Sequence, residues 1–142
     1  MTIRMILAGR TGPVHTADGS ESVATVVERL TQQRIGAVPV IEAGQVVGIF
    51  SERDVIHCLN QHRGSALDLL VRDVMTAPAI SIDGDTPILA ALSLMTRRRI
   101  RHLPVIDGDT LSGFISIGDL VKYRIEAIEA EAAAMRDYIA GS

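Results

Sequence analysis

Two copies of a Ser-x-x-Asp motif carry the side chains best suited to bind a small polar ligand. Ser51 with Asp54 forms one copy, Ser116 with Asp119 forms the other, and each follows a short apolar stretch that contains a glycine. The motif is typical of a helix start, where the serine oxygen accepts a hydrogen bond from an early helical N–H group. The same helix N-terminus attracts a phosphate, and an aspartate one turn further in could accept both hydroxyls of a ribose. Helix capping and ligand binding are therefore two interpretations of each motif, and a single motif favours capping.

A run of cationic side chains, RRRIRH, precedes the second motif at residues 97–102. Its first two arginines lie near the end of a predicted helix, where cations complement the helix dipole. Arg101 and His102 begin a predicted strand, and because side chains alternate along a strand, one of the two should face a ligand. The first copy has Gly36 and Ala37 at these positions. We therefore expect two unequal sites, with more positive charge for a polyphosphate at the second.

The two motifs belong to an internal duplication with an offset of 65 positions, the distance from Pro39 to Pro104. At this offset IGAVPVI lies on IRHLPVI and GIFSERD lies on GFISIGD, and the match runs without a gap from about residue 15 to residue 58. Solenoid repeats are shorter and need several copies, so two units of this length indicate two pseudo-symmetric halves. A unit of this size is only marginally stable alone, and each half is expected to bury its apolar face on the other.

Each copy has the same predicted order of elements, β-α-β-β-α. Apolar residues at helical spacing predict the helices, and short apolar runs joined by glycine-containing turns predict the strand pairs. The fold class is therefore α/β or α+β, with two βαββα repeats and a long C-terminal helix. We predict a first repeat at 1–65, a connector with the second repeat at 66–124, and a helical extension at 125–142. The predicted elements are an extended piece at 14–16, a helix at 22–33, strands at 37–41 and 45–50, a helix from Ser51, a connector at 61–72, an extended piece at 79–81, a helix from about Pro87, strands at 102–106 and 110–115, and a helix from Ser116.

The C-terminal segment from residue 119 to residue 139 carries apolar residues at alternating spacings of four and three, which is a heptad seam. One interpretation is a long helix packed on its own domain. The other is a helix that pairs with a second copy of the chain, and several turns of exposed apolar side chains in a monomer would be costly. We therefore expect a homodimer. The seam residues are Val121, Ile125, Ile128, Ala132, Met135 and Ile139.

The composition argues against several classes of protein. A net charge of −3 and an aromatic content of 3% oppose nucleic-acid binding, and the single Cys58 excludes an internal disulfide or a thiolate-rich metal site. No apolar run approaches the roughly 18 residues of a membrane span. The fingerprints GxGxxG and GxSxG are absent, which argues against a dinucleotide-dependent oxidoreductase and a hydrolase. We expect a cytoplasmic protein that has no catalytic residues and no metal site.

The paired segments IGAVPVIEAGQVVGIFSERDVI and IRHLPVIDGDTLSGFISIGDLV, with VMTAPAISI at the start of the second copy, resemble a tandem pair of cystathionine β-synthase (CBS) domains, or Bateman module. The resemblance runs from about residue 3 to residue 123. It implies two βαββα units packed through their sheets, with two clefts related by pseudo-twofold symmetry. It also implies adenosine-containing ligands in those clefts, such as AMP, ADP, ATP, S-adenosylmethionine or NAD, and disc-shaped dimers.

The resemblance implies roles for particular residues in each cleft. Asp54 and Asp119 match the aspartate that binds ribose, and Ser51 and Ser116 match the hydroxyl that contacts phosphate or ribose. The first copy departs from the family's pattern at Gly36 and Ala37, which stand where the second copy has Arg101 and His102. The remaining matches are Thr16 and Ser81 beside the base, Val38 with Pro39 and Leu103 with Pro104 as an apolar wall, and Arg101 with His102 as a pair that binds phosphates.

These observations favour a non-enzymatic regulatory module that binds an adenosine-containing ligand, senses energy state, and transmits occupancy to a separate, unidentified protein. AMP, ATP and NAD share the adenine, ribose and phosphate groups that the motifs explain, so the residues do not distinguish among them. The alternative is a ligand-free dimerisation or protein-interaction module that acts through the C-terminal helix. A third interpretation, nucleic-acid binding through residues 97–101, is opposed by the overall acidity.

Overall fold

The computed structural model describes residues 1–141 as helices that alternate with short strands. Their arrangement confirms the mixed α/β class and the long C-terminal helix. In chain order the elements are α1 (Ile3–Ala8), β1 (Ala17–Asp18), α2 (Val23–Gln33), β2 (Ala37–Glu42), β3 (Gln45–Ser51), α3 (Glu52–His62), a 3₁₀ helix (Arg63–Asp68), α4 (Val71–Val74), α5 (Ile88–Arg98), β4 (His102–Asp107), β5 (Thr110–Ser116) and α6 (Ile117–Ala140).

The strands form two small sheets that repeat one arrangement. In the first sheet β1 pairs parallel to β2, and β2 pairs antiparallel to β3. In the second sheet β4 and β5 pair antiparallel, and Ile82 adds a parallel bridge to Val105 in the place that β1 occupies in the first. The strand register shifts after Val40 and again after Val105, which are equivalent positions at the 65-residue offset. The duplicated sequence therefore folds as two similar halves.

The first strand of each half begins later in the chain than the sequence predicted. We expected extended pieces at 14–16 and 79–81, whereas β1 is Ala17–Asp18 and its counterpart is the single bridge at Ile82. The physical reason lies in the neighbouring strands, where Pro39 and Pro104 have no N–H group to donate to a ladder that continued upstream.

Each half has its own hydrophobic core. The segment before the first half completes the core of the second half, and the segment before the second half completes the core of the first. Ile3 of α1 is fully buried in the core of the second half, where its N–H group donates to the Thr86 carbonyl at 3.0 Å. Ala66 and Val71 of the connector are fully buried in the core of the first half, and the Val71 N–H group donates to the Glu21 carbonyl at 2.9 Å. The halves thus exchange segments, so packing crosses the predicted bounds 1–65, 66–124 and 125–142, which remain a sequence-based prediction.

Gly48 in β3 allows the segment after α4, at Met75 and Thr76, to cross the first sheet at close range. A Cβ atom at this position would lie 2.7 Å from the Thr76 carbonyl oxygen and 2.7 Å from Met75 Sδ. The backbone of Thr76 is held there by hydrogen bonds to and from Ile49, each 2.9 Å long. The crossing chain therefore cannot retreat without loss of two hydrogen bonds, and the position requires glycine.

We expect Gly48→Ala to lower the free energy of unfolding by about 2 kcal/mol, because overpacking against a fixed backbone displaces that backbone. Gly64→Ala is the matched control, since an added Cβ atom there meets nothing within 4 Å. Chemical denaturation of the two variants and the parent protein measures the difference. Equal stability of both variants would contradict the close crossing.

Two candidate ligand-binding clefts

Two neighbouring clefts lie where segments of both halves meet. The first cleft has a volume of about 350 Å³ and lies at the N-terminus of α3. Its lining includes Asp54 and, from the segment between α4 and α5, Thr76 and Ile80. The second cleft has a volume of about 640 Å³ and lies at the N-terminus of α6, where Arg10 and Asp119 are among its lining residues. Each predicted aspartate therefore lies beside a concave space large enough for a small molecule.

Both Ser-x-x-Asp motifs are capping boxes, which confirms the structural interpretation of each motif. The Ser51 and Ser116 hydroxyls accept from the N–H groups of Asp54 and Asp119 at 3.4 and 3.1 Å. Each aspartate in turn accepts from the backbone N–H group of its serine at 2.8 Å. Capping fixes the two carboxylates at the helix N-termini and leaves them at the clefts, so it does not compete with a binding role.

The Asp54 carboxylate is buried, with 8% of the residue exposed. Its Oδ2 atom accepts from the Ser51 N–H group at 2.8 Å and from the Ser51 hydroxyl at 3.1 Å. Its Oδ1 atom accepts from the Thr76 hydroxyl at 2.7 Å. A carboxylate has about four lone-pair positions, so a ribose diol would share this group with the two hydroxyls or replace one of them. Both are mobile donors, which makes such replacement feasible without a change in the backbone.

Three arginines, Arg53, Arg99 and Arg101, line the first cleft. Within residues 1–141, none of these three forms an ion pair with a carboxylate of the chain. The acidic residues in the same lining are Glu52 and Asp54. Three arginines therefore line the cleft with two acidic residues, one of which already accepts three internal hydrogen bonds, and the cleft favours an anionic group.

The Asp119 carboxylate in the second cleft is paired differently. Its Oδ2 atom accepts from the Ser116 N–H group at 2.8 Å and from Arg10 Nη2 at 2.6 Å. Arg10 Nη1 also donates to the Phe114 carbonyl oxygen at 2.8 Å. Burial acts to raise the pKa of Asp119, but the Ser116 hydrogen bond and the Arg10 charge outweigh burial and lower the pKa overall. This carboxylate is an anion whose charge is balanced from within the chain.

His102 lies in the wall that the two clefts share, because it lines both. Its ring stacks on Phe114, with ring centres 5.5 Å apart and an angle of 12° between the planes. Burial lowers the pKa of His102 and Arg101 lowers it further, whereas Asp119 and Glu52 act to raise it. The imidazole is therefore neutral near pH 7, and a phosphate placed beside it would favour its protonation.

The structure brings half of the predicted site residues together at the clefts and places the other half outside the linings. Thr16 and Ser81 lie outside them, and the preceding residues His15 and Ile80 take part instead. The ligand contacts assigned to the outlying residues remain predictions. The lining residues are Ser51, Asp54, Arg101, His102 and Ser116 at the first cleft and His102, Ser116 and Asp119 at the second. The buried strand residues outside both linings are Val38, Pro39, Leu103 and Pro104.

The sequence analysis missed Thr76 and Arg10. A signal for Thr76 exists, because extending the 65-position alignment upstream places Thr11 on Thr76 and Pro13 on Pro78. A Thr-x-Pro pattern thus lies in the lining of both clefts. No comparable signal marks Arg10, since its equivalent in the second copy is a methionine.

The positions of the metal-ligating and nucleophilic side chains bear on other chemistry at the clefts. Within residues 1–141, no group of three His, Cys, Asp or Glu side chains is placed to hold a metal ion. The thiol of Cys58 is buried in the first core, 3.7 Å from the Ala66 carbonyl oxygen, and burial raises its pKa. In the same described part of the chain, every helix is too short or too polar to cross a membrane.

Comparison with known proteins identifies the two halves. Residues 10–61 and 71–126 each match the model of the CBS domain family. The mitochondrial CBS domain-containing protein CBSX3 of Arabidopsis thaliana is 33% identical over 138 residues, which cover 89% of this chain and 67% of that protein. The structure of a CBS-domain protein from Burkholderia ambifaria, for which a role in signal transduction has been suggested, has a TM-score of 0.83 at 33% identity, with 89% of this chain and 95% of that chain covered.

A more distant structure shares the fold. It is the CBS domain pair of protein MJ0100 in complex with 5′-methylthioadenosine and S-adenosyl-L-methionine, with a TM-score of 0.76 at 22% identity and coverage of 87% of this chain and 98% of that chain. The two family matches coincide with the duplicated sequence and with the two structural halves, and they confirm the resemblance seen in the residues. The chain therefore belongs to the CBS domain family and contains a pair of CBS repeats.

Proposed function

We propose that this protein is a non-enzymatic regulatory module that binds an adenosine-containing nucleotide in the first cleft. CBS pairs are regulatory modules, and the MJ0100 pair, which shares the fold, was solved with two adenosine-containing ligands. The observation that carries the proposal is the buried Asp54 carboxylate, held by its capping box at the N-terminus of α3, in a cleft lined by three arginines that form no ion pair within residues 1–141. A carboxylate can hold a ribose diol, and the arginines and helix N-terminus can hold phosphates.

The charge of the first cleft favours nucleotides over nucleosides. AMP, ADP, ATP and NAD carry phosphates that the guanidinium groups of Arg53, Arg99 and Arg101 could neutralise. S-adenosylmethionine carries a sulfonium and an ammonium group against a single carboxylate, and it has no phosphate; methylthioadenosine is uncharged. Neither would neutralise the three cations. We therefore place the ligand among the adenosine phosphates, with the longer phosphate chains preferred.

Transmission of occupancy requires a second surface, and α6 offers one. Its seam residues Val121, Ile125, Ile128, Met135 and Ile139 are 44–66% exposed. Exposed apolar side chains in a heptad pattern favour pairing with a second copy of the chain. We propose that the protein is a homodimer through this seam and that a cytoplasmic partner reads the state of the clefts. The exposed seam also supports the alternative function, a protein-interaction module whose clefts carry no ligand.

A nucleotide series in a thermal-denaturation assay tests the proposal. We expect ATP to raise the midpoint temperature more than AMP, and AMP more than adenosine, because each added phosphate meets an unpaired cation. A ligand at a hundred times its Kd stabilises the folded protein by about 2.7 kcal/mol, which gives a clear shift. GTP is the matched control, since it has the same ribose and phosphates with a different base. The proposal fails if no adenosine nucleotide changes the midpoint at millimolar concentration, or if GTP acts as strongly as ATP.

A further inference from the structure

In the second cleft, the guanidinium group of Arg10 is paired with the Asp119 carboxylate, which is the group that would hold a ribose. Arg10 follows α1 in sequence and reaches Asp119 at the start of α6, with 2.6 Å between Nη2 and Oδ2. Its other terminal nitrogen donates to the Phe114 carbonyl oxygen at 2.8 Å. The two side chains are 40% and 35% exposed, so a ligand that enters from solvent can reach the pair.

The first cleft lacks this arrangement. At the 65-residue offset the equivalent of Arg10 is Met75, whose side chain packs against the first core. The segment after Met75 is fixed by the backbone hydrogen bonds between Thr76 and Ile49. Among residues 1–141, no such backbone bridge joins the segment after Arg10 to β5 at Phe114, the equivalent of Ile49. The segment of residues 9–13, here named the strap, is thus attached to β5 through an arginine side chain.

We infer that Arg10 is an internal latch that holds the strap on the second cleft and occupies Asp119 in the ligand-free protein. This inference rests on the proposed function and adds how the second cleft is regulated. A ribose diol that binds Asp119 must share the carboxylate with the guanidinium group or displace it. The second cleft therefore binds nucleotide more weakly than the first, and occupancy of the second cleft releases the strap.

Tryptic cleavage after Arg10 tests the latch without any ligand. Trypsin must take the free arginine side chain into its own pocket, so a latched Arg10 is protected. We expect Asp119→Asn, which removes the charge that holds Arg10, to accelerate cleavage of the Arg10–Thr11 bond about threefold or more, the effect of losing a partly exposed ion pair. Asp54→Asn is the matched control, because it weakens the equivalent capping box in the first repeat, where no arginine is bound. Cleavage after Arg4 serves as the internal reference in each digest.

Equal cleavage after Arg10 in the wild-type protein and in Asp119→Asn would overturn the latch. Equal acceleration in Asp119→Asn and Asp54→Asn would overturn it as well, because the effect would then come from the loss of helix capping. Acceleration in Asp119→Asn alone supports it.

Calorimetric titration with ATP tests the effect on binding. The Asp54→Ala background weakens ATP binding at the first cleft ten- to hundredfold, so the titration reports mainly the second cleft. We expect Arg10→Gln in this background to tighten ATP binding about three- to tenfold, since the ligand no longer competes with an ion pair. Arg4→Gln is the matched control, because Arg4 in α1 also pairs with carboxylates, Asp85 and Asp107, but lies outside both cleft linings.

Unchanged or weaker ATP binding after Arg10→Gln in the Asp54→Ala background would overturn the inference. The proposed function would still stand in that case, provided that the wild-type protein binds ATP at the first cleft. If neither the wild-type protein nor any variant binds ATP or AMP, the proposed function fails and so does the competition between ligand and Arg10. The proteolysis result then decides the latch on its own.

Discussion

We expect Asp54→Ala to weaken ATP binding at the first cleft ten- to hundredfold. The substitution removes the acceptor of the charge-assisted hydrogen bonds from a ribose diol, and such bonds contribute about 1.5–3 kcal/mol. Since every 1.4 kcal/mol is a factor of ten in affinity, the loss falls in that range. Water cannot easily restore the lost acceptor, because the residue is only 8% exposed.

Asp119→Ala is the matched control for this substitution. It removes the same type of capping-box aspartate, and loss of a helix cap costs about 1 kcal/mol of stability in either repeat. Asp119 is already paired with Arg10, so we expect a much smaller change in the tighter of the two binding constants. Calorimetric titration of both variants with ATP gives the comparison. Wild-type affinity in Asp54→Ala would contradict the assignment of the first cleft as the nucleotide site.

The helix starts and strand pairs could be predicted from the sequence because their signals are local. Ser22, Ser51 and Ser116 each accept a hydrogen bond from the backbone N–H group three residues later, as the residue types indicated. The proline at position 87 caps the start of α5 in the extended conformation. The predicted strand at 37–41 is β2, which extends one residue further, to Glu42.

The cleft walls could not be predicted by the same means. Four successive residues from Ala37 to Val40 are buried, so alternation along β2 does not show which face meets a cleft. The assignment of Val38 and Pro39 to an apolar wall came from the family resemblance, and the cavity linings do not include them. A strand that is buried on both faces lacks the alternating pattern that would orient it.

Contacts between distant parts of the chain could not be predicted from the sequence either. The apolar residues of α1 predict burial, but nothing in them indicates that Ile3 completes the core of the second half and not that of the first. The pairing of Arg10 with Asp119 follows from this exchange, because the chain leaves α1 beside β5. Two unequal clefts were predicted from residues 36 and 37, but the expectation of more positive charge at the second cleft was wrong. Arg101 lines the first cleft together with Arg53 and Arg99 and lies outside the lining of the second, whose Asp119 is paired with Arg10.

We expect the double substitution Ile125→Glu/Ile128→Glu to weaken self-association at least about a hundredfold and to leave a monomer. The two side chains are 50% and 48% exposed on α6, so a dimer interface can bury about half of each. Full burial contributes about 1.5–3 kcal/mol per side chain, so the four half-exposed side chains of a dimer contribute about 3–6 kcal/mol together. A hundredfold change corresponds to about 2.8 kcal/mol, which the loss of these contacts reaches even before charge repulsion is added. Sedimentation equilibrium separates the 15.2 kDa monomer from a dimer of twice that mass.

The control is Ala130→Glu/Ala134→Glu, which adds the same charge to exposed positions of α6 outside the seam. This control should remain dimeric, since the seam positions are unchanged. A wild-type protein that is already monomeric, or equal association of both double variants, would contradict pairing through the seam.

The seam variant also separates the two candidate functions. The first cleft is lined by residues of a single chain, and Ile125 and Ile128 are outside its lining, so a monomeric variant should bind ATP with wild-type affinity if the clefts sense nucleotide. If the module acts only as an interaction surface, neither form binds nucleotide, and the substitutions abolish its effect on the partner. A monomer that binds ATP but no longer acts on its partner would place sensing in the first cleft and transmission in α6, because binding would then survive the loss of the seam and transmission would not.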